Sequence, residues 1–167
     1  ADAHLMDLIH THPNVLVART LSKSYSLAGL RVGYLAGAED LIAALYKIKD
    51  SYNVDRLAQE IAYVALGDGG HMRANAGKIR ATRARVTSEL EGLGCRVWPS
   101  QANFLWFDPV RRPAAEIFER LRDRKIFIRY FPGPRTGNGL RVTIGTDAHM
   151  ELFIAAMRSL LAGGGAG

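Results

Sequence analysis

Apolar residues recur along this chain at two periods, and the changes of period mark its elements. Residues 14–18 (Asn-Val-Leu-Val-Ala) and 32–36 (Val-Gly-Tyr-Leu-Ala) are short apolar runs; the first predicts a buried strand and the second another short strand. The stretch between them, Arg19 to Arg31, is polar and rich in small residues and predicts a loop. After Gly37, the residues Leu41, Ile42, Leu45 and Ile48 fall at helical spacing. They follow Glu39 and Asp40, acidic residues that suit the first turn of a helix. Asp55 is placed to cap a second helix over 56–66. Gly67, Gly69 and Gly70 interrupt the pattern, and a long helix over about 71–91 ends at Gly92 and Gly94.

The second half alternates. Residues 95–98, 103–107, 126–130 and 140–144 read as strands, residues 114–124 as a helix, and 131–138 as a loop rich in Pro and Gly. Residues 147–161 form an amphipathic helix with Asp147 as its expected cap. Alternating strands and helices predict a layered α/β fold. The two strands of the first part are too few for an independent sheet. The glycine cluster marks the expected boundary between residues 1–66 and 67–162, with 163–167 as a flexible tail.

Composition narrows the function classes. At 167 residues the chain is about one domain by the usual 100–200 residues. With 48% hydrophobic and 23% charged residues it is neither a disordered chain nor a collagen-like repeat. A single cysteine, Cys95, forms no internal disulfide and is expected to be buried and inert, in keeping with a reducing, cytoplasmic setting. The first residues lack the basic start and apolar core of a signal peptide. No apolar run reaches the ~18 residues of a membrane span, so no membrane role is expected.

The net charge of +6 comes from arginine, with seventeen Arg against five Lys. The densest group, Lys78, Arg80, Arg83 and Arg85, has no interleaved aromatics and reads as a solvated helix face rather than a nucleic-acid surface. Anionic small molecules held by individual arginines are the better match.

Chemistry concentrates in residues 20–34, Thr-Leu-Ser-Lys-Ser-Tyr-Ser-Leu-Ala-Gly-Leu-Arg-Val-Gly-Tyr. Lys23 stands among Ser22, Ser24 and Ser26, and Arg31 follows eight residues later. Hydroxyls, backbone N–H groups and an arginine in one inter-strand loop make a phosphate cradle, and a lysine amine beside them can take an aldehyde. An aldehyde-bearing phosphate such as pyridoxal 5′-phosphate meets both demands. By itself the segment equally suits an ordinary loop with a surface lysine.

The same segment resembles the lysine signature of the fold-type-I aminotransferases, in particular the histidinol-phosphate aminotransferases. Residues 52–59 (Tyr-Asn-Val-Asp-Arg-Leu-Ala-Gln) resemble the hinge of that family. Residues 100–107 resemble one of its strands, and 126–146, closing on Leu-Arg-Val-Thr-Ile-Gly-Thr, its substrate-arginine segment.

The resemblance implies an α/β fold made of the end of a large-domain sheet plus a small α+β domain. It implies pyridoxal 5′-phosphate as cofactor, with Lys23 as imine partner and proton carrier and with Ser22 and Arg31 on the cofactor phosphate. Arg141, assisted by Arg129, would hold the substrate's distal anion: the phosphate of histidinol phosphate, or a carboxylate of glutamate or 2-oxoglutarate. Arg129 also reads as a plain strand-edge charge, and Arg141 as a charge where loop meets strand.

The resemblance further implies a homodimer. The family's aspartate for the pyridine nitrogen lies well upstream of the lysine, whereas only twenty-two residues precede Lys23 here, and neither Asp2 nor Asp7 matches it. The expectation is therefore a C-terminal portion, inactive alone. Other readings are an aromatic aminotransferase, a phosphothreonine decarboxylase, or a basic binding module without catalysis. Asn53, Asn103, Tyr25, Tyr34, His12, His71 and His149 are expected in packing, turn or surface roles.

Overall fold

The computed structural model describes residues 5–162. The expected flexible tail, 163–167, lies outside the described residues. The chain forms two compact units that divide between Asn75 and Ala76.

The first unit is built on a hairpin. A short 3-10 turn, Met6–His10, precedes β1 (Leu16–Thr20), which pairs antiparallel with β2 (Gly33–Gly37) from Leu16 opposite Gly37 to Thr20 opposite Gly33. β1 lies two residues later than the apolar run suggests and takes in Arg19 and Thr20, because the ladder with β2, not apolarity, sets where it ends. Gly33 has to be glycine: a Cβ there would stand 2.6 Å from the Arg19 carbonyl oxygen. Helix α1 (Glu39–Ile48) follows. Helix α2 (Arg56–Gly67) starts as expected from Asp55, whose carboxylate accepts the Ala58 N–H at 2.9 Å. Ala58 and Ala62, one turn apart, are buried.

Helix α3 (Gly69–Gly92) contains the division between the units. It ends where Gly94 turns left-handed at φ +82°, and the Cys95 N–H reaches back to the Leu90 carbonyl at 3.0 Å. Next come β3 (Arg96–Val97), β4 (Phe104–Asp108), helix α4 (Ala114–Asp123), β5 (Arg129–Tyr130), β6 (Leu140–Thr143) and helix α5 (Asp147–Ala162). The strands form one antiparallel sheet in the order β3-β4-β6-β5.

The expected strand over 126–130 pairs only at its last two residues. Lys125 is left-handed, and the Ile126 N–H closes on the Leu121 carbonyl at 2.9 Å, so the chain is still leaving α4 where the apolar pattern predicts a strand.

Alternation along β4 and β6 separates two faces. Leu105, Phe107, Leu140 and Val142 point into a core shared with Val86, Leu90, Ile117, Leu121, Phe153 and Met157. The Phe107 and Phe153 rings meet edge to face with centroids 6.1 Å apart. The intervening residues, Phe104, Trp106 and Arg141, fall on the other face, which carries the chemistry described below.

Two expectations about polar residues change. Thr146, not Asp147, caps α5, its hydroxyl accepting the His149 N–H at 3.3 Å. Asp147 instead ties α5 to α3, accepting from the Thr82 hydroxyl at 2.9 Å and from Arg85 at 3.0 Å. The basic group on α3 is only partly a solvated face. Lys78 and Arg80 are exposed, but Arg83 donates to the Ala102 carbonyl at 2.6 Å, and Arg85 bridges Asp147 and Glu89. Among the described residues, no helix is long and apolar enough to cross a membrane.

Candidate active site

The predicted site residues fall in two places, one in each unit. In the first unit, the loop from Leu21 to Val32 is closed at its neck by the Leu21 N–H donating to the Val32 carbonyl at 3.1 Å. Ser22 and Arg31 are the next residues inward on either side, so the backbone alone holds them as neighbours at the loop's mouth. The Leu27 N–H returns to the Leu21 carbonyl at 3.2 Å, and the Ser26 N–H to the Lys23 carbonyl at 3.1 Å, so the loop is folded on itself. Leu21 is buried beneath it.

Arg31 adopts a left-handed backbone at φ +55°, an uncommon state for a residue with a Cβ. Its Nη1 donates to the Ala28 carbonyl at 3.1 Å, which leaves four of the guanidinium's five donors available. The Ser22 backbone N–H and hydroxyl both engage the Thr20 hydroxyl, at 3.1 and 2.9 Å. Lys23 is exposed and, among the described residues, has no acidic partner. A cavity of about 320 Å³ beside the loop is lined by Arg19, Thr20, Ser24, Tyr25 and Tyr34 among others, but not by Ser22, Lys23 or Arg31.

In the second unit, Arg129 on β5 stands directly opposite Arg141 on β6, and Arg141 stands opposite Trp106 on β4. The three form a row across one face of the sheet. The Arg141 guanidinium lies 5.3 Å from the Phe104 ring centroid and 5.5 Å from that of Phe131, and Arg129 also lies 5.5 Å from Phe131. The Phe131 and Trp106 rings are 6.1 Å apart. The Nε of Arg141 is buried without a hydrogen-bond partner among the described residues, and no carboxylate there pairs with either arginine.

Like charges directly opposite on neighbouring strands repel and destabilise a sheet. Two arginines on paired strands without a carboxylate partner among the described residues have the charge and the open donors that a phosphate or carboxylate would satisfy.

The motif pattern singled out both arginines but not their aromatic surroundings. Phe104 and Trp106 were legible in principle, since they alternate with buried Leu105 and Phe107. Phe131 follows the strand and has no periodic signal. Cys95 is buried, and burial is the main cause that pushes its thiol up to about 11, so it stays protonated at neutral pH. Asn53 accepts from Lys49 Nζ at 2.7 Å, and the Asn103 carbonyl accepts the Ile144 N–H at 2.9 Å, both local structural roles. The described residues contain no group of three His, Cys, Asp or Glu able to hold a metal.

The lysine loop thus lies between two paired strands, and the arginine pair follows on a small antiparallel sheet. Residues 2–157 match the family described as aminotransferase class I and II, and the chain belongs to it. Histidinol-phosphate aminotransferase 1 of Nostoc sp. is 44% identical over 161 residues, covering 96% of this chain and 46% of the relative. The histidinol-phosphate aminotransferase of Gluconacetobacter diazotrophicus is 46% identical over 157 residues, 92% of this chain and 44% of the relative. The crystal structure of histidinol-phosphate aminotransferase from Sinorhizobium meliloti, in complex with pyridoxal-5′-phosphate, matches with a TM-score of 0.79 at 32% identity, over 90% of this chain and 42% of that one. The chain spans about half the length of the curated relatives it matches.

Proposed function

We propose that the chain is the C-terminal portion of a pyridoxal-phosphate-dependent histidinol-phosphate aminotransferase. The reaction moves an amino group between L-histidinol phosphate and 2-oxoglutarate in histidine biosynthesis, in a cytoplasmic homodimer. The observation that carries this reading is the Arg129–Arg141 pair: two unneutralised guanidiniums on an aromatic face, in a chain 44% identical to a histidinol-phosphate aminotransferase over nearly its whole length. The fold by itself does not choose the reaction, because an L-threonine-O-3-phosphate decarboxylase shares it at 23% identity and a TM-score of 0.74.

The loop residues fit the cofactor. Ser22 and Arg31 flank one loop mouth, and the open donors of Arg31 suit a phosphate. Lys23 offers an amine with no competing carboxylate among the described residues. When bound, pyridoxal 5′-phosphate supplies the electron sink that makes the substrate Cα–H acidic. Lys23 takes that proton from Cα and delivers it to the C4′ position, a general acid–base role. Ser22 and Arg31 orient the phosphate end. Arg129 and Arg141 hold the substrate's far anion. A planar fork donor accepts both a phosphate and a carboxylate, so one pair serves both half-reactions.

The test is a substrate panel on the full-length enzyme carrying these residues, with histidinol phosphate set against aromatic amino acids and phosphothreonine. Histidinol phosphate is expected to give the highest kcat/KM, and preference for another member of the panel would reject the assignment. In the same enzyme, Lys23→Ala is expected to abolish transamination by orders of magnitude while the cofactor still binds non-covalently. Borohydride should then no longer fix the cofactor to the protein. Retained turnover in that variant would remove Lys23 from the mechanism.

A further inference from the structure

The anion site contains a residue that no charge pattern marks. Phe131 is within 5.5 Å of both guanidiniums, so the two are at most twice that distance apart, and its ring also packs on Trp106. The ring is held from two sides. Trp106 backs it, and the following loop clamps its backbone: the Thr136 hydroxyl donates to the Phe131 carbonyl at 2.7 Å, and the Gly137 N–H to the Gly133 carbonyl at 2.8 Å. Pro132 and Pro134 stiffen that loop.

Arginine side chains are long and lose much rotamer freedom when fixed. Two of them with like charge would swing apart unless something held them. A ring face attracts a guanidinium, and one ring within reach of two guanidiniums restricts the freedom of both.

We propose that Phe131 is the positioning residue of the anion site: its clamped ring orients Arg129 and Arg141 so that both forks engage one phosphate. The proposal rests on the reading of that pair as the anion site. Phe131 itself touches no reacting atom; it acts through the arginines.

The experiment uses the 167-residue chain, labelled with 15N and kept at a concentration where light scattering shows a monomer, titrated with inorganic phosphate while the Nε–H signals of Arg129 and Arg141 are followed. In the parent sequence both signals are expected to move with one midpoint. Phe131→Leu and Phe131→Met, which keep apolar bulk but lose the ring face, should each weaken phosphate binding roughly three- to tenfold, as for loss of a cation–π contact. They should also separate the two midpoints while leaving the thermal midpoint nearly in place. Phe131→Tyr should restore both affinity and the common midpoint.

Unchanged affinity in either the Leu or the Met variant overturns the proposal. So does unfolding of both, which would make the ring part of the fold rather than a guide for the arginines. A phosphate response lost in Arg141→Gln but indifferent to Phe131 rejects the positioning role alone. No response of either arginine in the parent sequence rejects the anion-site reading and the proposal with it.

Discussion

Arg141 sits where a sheet would ordinarily place a neutral or paired residue: opposite another arginine, with a buried Nε that has no partner among the described residues. Such an arrangement lowers stability and leaves donors open that an anion would satisfy. In the full-length enzyme, Arg141→Lys is expected to raise KM for both the phosphate substrate and glutamate by the equivalent of about 1.5–3 kcal/mol each, the usual size of a charged hydrogen bond. Steady-state kinetics with each substrate in turn checks this, and an effect on only one would separate the two anion sites. At this scale the resemblance singles out Lys23, Ser22, Arg31, Arg129 and Arg141, because each lies in a run of neighbouring residues that matches a family motif. It does not single out Phe131, whose role is a matter of which rings lie against which charges across three strands.

Among the elements, α5 shows how a side chain's identity and its partner separate. The sequence marks Asp147 as the cap of α5, yet Thr146 makes the cap and Asp147 spans to α3. The Arg85 hydrogen bond, and after it the Thr82 hydroxyl, hold the Asp147 carboxyl below its usual range. A lowered native value means the unfolded chain binds the proton more readily. Asp147 therefore contributes stability that is present above the unfolded value of about 4 and is lost as pH falls through the lower native one. The carboxyl is on the surface, so the effect is small and screened by salt. Asp147→Asn is expected to lower the thermal midpoint modestly at neutral pH, with the difference closing in acid. Paired melting curves from pH 7 to 2 check this, and a difference that stayed constant with pH would show that the bond to Arg85 plays no part. Helix positions match their sequence signals closely, since capping and periodicity are local. Strand limits shift by a few residues because a strand ends where its partner's hydrogen bonds end.

The chain as a whole distributes its apolar surface unevenly between the two units. The second has a contiguous core around Phe107, Phe153 and Met157, whereas the first buries little beyond Val17, Leu21, Ala58 and Ala62. Leu57, Tyr63 and Val64 on α2 are each at least 70% exposed, and about half of Leu35 on β2 is open. Exposed apolar faces and a two-stranded hairpin with open edges favour association. The isolated chain is expected to self-associate as concentration rises, and a monodisperse monomer by light scattering at high concentration would contradict this. Periodicity, capping residues and the lysine and arginine motifs are properties of neighbouring residues, so the sequence by itself determined the helices, the first two strands, the lysine loop and the family. Strand register, the row of Trp106, Arg141 and Arg129, the ring of Phe131 between two charges, and the tie from Asp147 to α3 join residues far apart in the chain. Only the tertiary structure decided those, because pairing across strands and packing across helices is a competition among many partners that no local pattern records.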